Sequence, residues 1–461
     1  MRPALMREGY SIFHLRRSSA ATTTTTTTRC FIMSRSVLMA LFMTTLLFIL
    51  SLNVEVRGDF VEKQILSTTD NDGTFNRFGT SIAMSNDGSY LAVAKYMSSV
   101  YIYYRSSAAS SYTLQHTITG KDFVTNPWGT IVGYTTSFNG IQSISLSGEG
   151  TTIAIGAPKY GSRGCVSVFT KSLYSNDWYN RQADCLTATL SIASVQQYND
   201  QFGYSVALSS DSSLLAVGAP NNREGYVYLY SKSGTTWSYL TMLSCTDPEY
   251  QFGTSVKFSV DTSVLVVGAK FKNNGQGAVY VFSKGNSTVW SQQQKILPSD
   301  LKGVYKFGSS IAVSKGGSTI AIGSCEDSLN ATDVAGSVYV FQKLGQAKQY
   351  TLTQRLWAND SVTGDRFGCN VVMSAESEVI VVGAHTRSHL DRTLTGAVYV
   401  FRQVDGKEWV QHQRIVPNSS KSDESFGYAV GLSLDGQTIA SSGVKATVNS
   451  VSDSGKVYIF K

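Results

Sequence analysis

The sequence predicts an all-β protein, a seven-bladed β-propeller of four-stranded antiparallel blades whose ring is closed by an N-terminal strand at 60–67. Three observations lead there. Phe-Gly pairs stand at Phe78-Gly79, Phe202-Gly203, Phe252-Gly253, Phe307-Gly308, Phe367-Gly368 and Phe426-Gly427. Sixteen residues after each Phe comes a small residue: Ala94, Gly218, Gly268, Gly323, Gly383 and Ser442. A degenerate copy at Gly140-Ile141, with Gly156 sixteen residues on, makes seven copies that start 50 to 62 residues apart. A self-similar period of this length marks a repeat architecture. Finally, helical periodicity is missing, and a chain with 25 Tyr, 21 Phe and only 15% charged residues suits buried strands.

Each repeat divides into four strands. In "FGYSVALSSDSSLLAVGAP" (202–220) the chain runs up a first strand, turns and returns along a second. The turns carry Asn86-Asp87-Gly88, Gly148-Glu149-Gly150, Ser210-Asp211-Ser212, Lys315-Gly316-Gly317 and Leu434-Asp435-Gly436. An inserted residue would reverse every side chain beyond it, so the offset is constant. The Phe is expected to pack between blades, the Gly beside it to allow a tight turn, and the later Gly to mark a close backbone approach. Third strands follow at "GYVYLYSK" (225–232), "GAVYVFSK" (277–284), "GSVYVFQK" (336–343) and "GKVYIFK" (455–461). These runs do not alternate, as expected for strands covered on both faces. A more polar fourth strand often begins at a Trp, as in "WSYLTMLS" (237–244) and "WVQHQRIV" (409–416). The chain stops after the third strand of the last blade, and "FVEKQILS" (60–67) resembles the missing fourth.

Residues 1–58 form a separate extension. They hold seven Arg, no Lys and two Glu, a charge of +5, so the formal +7 of the chain leaves 7 − 5 = +2 for residues 59–461. No Lys/Arg run stands out there, and no nucleic-acid partner is expected. A seven-Thr tract (22–28) precedes the apolar run "SVLMALFMTTLLFILSL" (36–52), which follows Arg29 and Arg35. Met33 is a second candidate start. A signal peptide cleaved near Gly58 and an uncleaved signal anchor both fit, and both put 59–461 outside the cytosol. Membrane contact is then expected only through that anchor. Sequons at Asn286, Asn330, Asn359 and Asn418 agree with secretion. Five Cys follow the apolar run, an odd number that leaves at least one without a partner in the chain. Cys165 and Cys185 flank adjacent strands of blade two and are candidates for a disulfide.

The repeat resembles the FG-GAP repeat, the unit of the integrin α-chain propeller. Gly156-Ala157-Pro158 and Gly218-Ala219-Pro220 carry its second motif in full. Gly268-Ala269-Lys270, Gly323-Ser324-Cys325 and Gly383-Ala384-His385 vary it. The resemblance covers 60–461 and implies an extracellular recognition or adhesion domain that binds partners on the face bearing the 4→1 and 2→3 loops. It also implies calcium loops in the first hairpins. Here those hairpins are short, with at most two acids each, too few oxygen ligands for calcium. No cofactor and no metal is therefore expected.

A non-catalytic module binding an extracellular protein is the leading expectation. A lectin-like propeller is the alternative, and an enzyme is less supported, because no Ser/His/Asp or Cys/His constellation stands out among five His. Candidate partner-binding residues are Phe123, Trp128 and Tyr134 in the long insertion before blade two, with Tyr160, Arg163, Asn221, Asn222, Arg223 and Tyr250 in neighbouring loops. Asn330, Asn359 and Asn418 fall on the same face at blades five to seven, which would direct partners towards blades two to four. His385, His389 and Asp391 form H-x-x-x-H-x-D, but in a loop rather than on a helix, so zinc is not expected.

Overall fold

The computed structural model describes residues 58–461 except 69–76, 97, 120–140, 161–162, 181–184, 188–199, 222–223, 246–250, 272–274, 285–288, 298–304, 328–334, 346, 389–392 and 407. Among the described residues there are seven antiparallel sheets of four strands each. Blade three is typical: Ser205–Leu208, Leu214–Ala219, Tyr226–Ser233 and Thr236–Leu243 pair in sequence order. In the last blade, Phe426–Leu432, Ile439–Gly443 and Lys456–Phe460 are completed by Glu62–Leu66, with Leu66 opposite Val457. The first described strand therefore closes the ring, as the sequence predicts. No described helix is long and apolar enough to cross a membrane, and the apolar run 36–52 lies outside the described residues.

Second strands such as Leu214–Ala219 and Val379–Ala384 are buried at every position. That explains their unbroken apolar runs: both faces are covered by neighbouring blades. The conserved offset has a more specific cause. Each Phe is fully buried and meets two aromatic rings of its own third strand edge-on. Phe252 does so with Tyr280 and Phe282, and Phe367 with Tyr399 and Phe401. Residues two apart share a strand face, so the Tyr-x-Phe of "VYVF" forms one wall for the Phe ring. Blade two lacks both halves of this contact: Gly140 stands at the Phe position and Ser167 at the Tyr position.

The glycines belong to the joints between blades. A Cβ on Gly218 would lie 2.1 Å from the carbonyl oxygen of Gly253, the Phe-Gly glycine of the next blade. The glycine that opens each third strand abuts the next Phe: Gly225 faces the Phe252 backbone, Gly277 that of Phe307 and Gly455 that of Phe78. The Phe N–H donates across the joint, from Phe252 to the Glu224 carbonyl at 3.1 Å and from Phe78 to the Ser454 carbonyl at 2.9 Å. The Ser three residues after the Phe also crosses it. Ser205, Ser255 and Ser310 donate at 2.8 Å to the carbonyls of Gly253, Gly308 and Gly368.

Candidate functional site: the two mouths of the central channel

First strands from all seven blades line a central channel of about 220 Å³. At one level its wall is small, with Ala83, Ser145, Ala207, Ala312, Val372 and Gly431, and blade four alone puts a long side chain there, Lys257. The Lys257 amine has room in the lumen but is walled in by protein, and that burial pushes it below the ordinary lysine value.

The first hairpins form one mouth. Their main chains are tied around the ring: Leu434 N–H to Asn86, Asn86 to Gly148 and Gly148 to Ser210, then Asp261 to Lys315, Lys315 to Ala375 and Ala375 to Leu434. The hairpin acids hold the turns. Ser85, Ser209 and Ser259 donate to the Oδ1 of Asp87, Asp211 and Asp261, which also accept the N–H of Ser89, Ser213 and Ser263 at 2.9–3.0 Å. Burial works against these three carboxylates, but the hydrogen bonds outweigh it and hold them below the usual range. An oxygen that receives two or more such bonds is engaged by the turn rather than directed at a ligand. Among the described residues no group of three or more His, Cys, Asp or Glu could hold a metal.

The 4→1 and 2→3 connections form the opposite mouth, where non-repeating residues from six blades converge. Residues preceding the Phe-Gly pairs adopt left-handed backbone, with Arg77 at φ 40°, Lys306 at 55° and Arg366 at 54°. Glycine would take this conformation without strain, and a residue with a Cβ gives up ~1–2 kcal/mol there. Three of these strained positions carry cations. The Lys270 amine donates to the Tyr204 hydroxyl at 3.0 Å and lies 5.4 Å from the centre of the Phe271 ring. Lys306 approaches the same ring at 5.6 Å and pairs with Glu326. Phe271 remains 38% exposed and Tyr428 41%. His385 meets Tyr428 edge-on at 5.3 Å. Arg77, Cys369, Tyr204 and Tyr96 are close enough to Tyr428 to act on its hydroxyl electrostatically. The rim thus interleaves aromatics with cations, while the hairpin mouth carries Asp87, Glu149, Asp211 and Asp261.

Burial, with Arg366 and Lys445 nearby, pushes His385 down to about 4. The folded state therefore keeps this imidazole neutral where the unfolded chain, titrating near 6.5, binds a proton. Stability from this group is complete above about pH 6.5 and falls as the pH drops towards 4. After allowance for partial solvent access the loss is ~2 kcal/mol. Urea unfolding from pH 7 to pH 4.5 should show it, and His385→Gln should flatten that slope. An unchanged slope in the variant would refute the assignment.

The residues expected from sequence fall as follows. Phe123, Trp128, Tyr134, Asn222, Arg223, Tyr250, Asn286, Asn330, His389 and Asp391 lie outside the described residues. Tyr160 is half-buried against the core between blades one and two, so much of its ring serves packing. The Arg163 carbonyl accepts the Phe202 N–H at 2.9 Å, and the Asn221 N–H reaches the Asp200 carbonyl at 3.3 Å, so both main chains belong to joints. Asn359 and Asn418 are exposed. Cys165 and Cys185 form a disulfide. The sequence did not single out Tyr204, Phe271, Arg366 or Tyr428. The only signal for them is position, since each lies beside a Phe-Gly pair or just after the second strand.

Comparison with known proteins bears on this frame. The FG-GAP repeat family matches residues 190–230, 290–341 and 350–401. Over those three segments the chain carries FG-GAP repeats. The last two segments begin at the outer strand of one blade and end in the third strand of the next. In the same frame the first described strand, Glu62–Leu66, is an outer one. No curated protein matches the sequence.

Proposed function

We propose that this FG-GAP propeller is an extracellular, non-catalytic recognition module of integrin-like type that binds a protein partner through its 4→1 and 2→3 loop face. The observation that carries the reading is the rim itself. Tyr and Arg side chains, exposed or half-exposed beside Lys270, Lys306 and Phe271, are the residue types that dominate binding energy at protein interfaces. The cations favour a partner with an acidic surface. The apolar run 36–52 and the exposed sequons Asn359 and Asn418 support an extracellular site of action. One feature argues against a lectin: lysine amines already lie over the Phe271 ring, where a sugar would stack.

The test uses the full chain secreted from eukaryotic cells with its glycans, screened against extracellular proteins. For the partner found, Phe271→Ala and Tyr428→Ala should each weaken binding about tenfold or more, ~1.4 kcal/mol. Tyr174→Ala, at an exposed position in the 3→4 loop on the opposite face, should leave it unchanged. Loss with Tyr174→Ala and none with the rim variants would place the interface on the other face.

A further inference from the structure

We propose that Cys325 and Cys369 are a redox-active pair that closes into a disulfide between blades five and six. The two sit on opposite sides of one joint. Cys325 directly follows the strand Thr319–Ser324, and Cys369 directly follows the Phe367-Gly368 pair of the next blade. The joint is tight: a Cβ on Gly323 would meet the Gly368 carbonyl oxygen at 1.9 Å. That closeness puts the two thiols near enough to act on each other's ionisation, although neither is part of a disulfide.

The pair is unequal. The Cys369 thiol, helped by Ser309 and Lys270 against burial and Glu326, pulls Cys325 down to about 7. The Cys325 thiol and burial push Cys369 well up. Cys325 is thus the nucleophile and Cys369 the resolving thiol. Cys325 is 9% exposed, within reach of a small oxidant, and Cys369 is more open. The oxidant class that suits such a sulfur is a hydroperoxide. The Cys325 thiolate attacks a peroxide oxygen, the O–O bond breaks, and with one proton taken up the products are a sulfenic acid and water. The Cys369 sulfur then attacks Cys325, the S–O bond breaks, and a second water leaves. Two thiols and one hydrogen peroxide give one disulfide and two waters, the two electrons passing from sulfur to oxygen.

Of the other cysteines after the apolar run, Cys165 and Cys185 are already joined and Cys245 lies within the apolar core of blades three and four.

The test treats the full chain with stoichiometric hydrogen peroxide, blocks remaining thiols with iodoacetamide and digests without reduction. Mass spectrometry should find a peptide linking Cys325 to Cys369, alongside the Cys165–Cys185 link. In Cys369→Ser, dimedone should label the sulfenic acid on Cys325. In Cys325→Ser, Cys369 should label at least tenfold more slowly. Recovery of both residues as alkylated thiols from peroxide-treated wild-type protein would overturn the proposal, and this measurement needs no variant to fold. Equal dimedone labelling of the two variants would overturn the assignment of roles.

Discussion

Gly277→Ala should destabilise the propeller by at least ~3 kcal/mol, and a chain that fails to accumulate as folded protein is an acceptable form of that result. Two penalties fall on one methyl group. Gly277 has φ +89°, a backbone conformation that L side chains rarely adopt, and the new Cβ would meet Phe307 O at 2.1 Å, N at 2.6 Å and C at 2.8 Å. These are backbone atoms, so no rotamer can move aside. They also belong to the joint itself, where Phe307 N–H donates to the Gln276 carbonyl at 3.0 Å and the Phe307 ring is fully buried. Relieving the clash means separating blade four from blade five in a ring that has no free end to absorb the shift. Gly345→Ala is the matched control. It too has positive φ, +58°, but nothing lies within 4 Å of its Cβ, so only the conformational cost of ~1 kcal/mol applies. Urea or thermal unfolding of both variants decides the point, and equal losses would mean that the blade joints are not held as described.

The same glycines show how far the sequence can be read. The offset of sixteen residues revealed strand–hairpin–strand repeats and their number, because spacing in a repeat is set by backbone register. It could not reveal which copy touches which. Gly218 looks like a partner of Phe202 in its own repeat, yet its close neighbour is Gly253 of the next. The Ser at the fourth position of Phe-Gly-x-Ser was visible in blades one, three, four and five but had no assigned role. Its acceptor lies across a joint, 48 residues away for Ser205. The hairpin acids illustrate the opposite difficulty. In sequence they occupy the place of the family's calcium ligands, while in the fold Ser209, Ser213 and the Ser213 N–H all converge on Asp211. The rim was the least legible part. Arg77, Phe271, His385, Tyr428 and Lys445 stand at repeat-equivalent positions whose residue types differ from blade to blade, and only ring closure brings them to one mouth.

Asp327→Ala should cost ~3 kcal/mol, the second largest effect expected, through a network that no repeat motif announces. Asp327 is 1% exposed at the start of the blade-five 2→3 loop. Its Oδ2 accepts from Arg355 at 2.7 Å, from the Tyr339 hydroxyl at 2.7 Å and from Ser337. Its main chain also fixes the loop, with its N–H donating to Ser324 and its carbonyl accepting from Gly336. Removing the carboxylate takes a hydrogen bond from the hydroxyl of the fully buried Tyr339 and a close ion pair from the largely buried Arg355 guanidinium. Two further variants separate these terms. Tyr339→Phe removes one hydrogen bond and keeps the ring against Phe307, so ~1 kcal/mol is expected. Asp327→Leu with Arg355→Met removes both charges together and should recover part of the single-variant loss, because the penalty comes from an uncompensated buried charge rather than from the pair's net attraction. Blades six and seven repeat the design with different residues. The Tyr399 hydroxyl donates to Asp360 at 2.9 Å, and that of Tyr458 to Glu424 at 2.9 Å. Burial and these neighbouring carboxylates push both phenols far above their usual value. The third-strand Tyr therefore has two jobs: its ring forms half the wall for the Phe, and its hydroxyl anchors an acidic residue in the 4→1 or 2→3 loops. An unfolding series in which Asp327→Ala lost no more than Tyr339→Phe would reduce that second job to a single hydrogen bond.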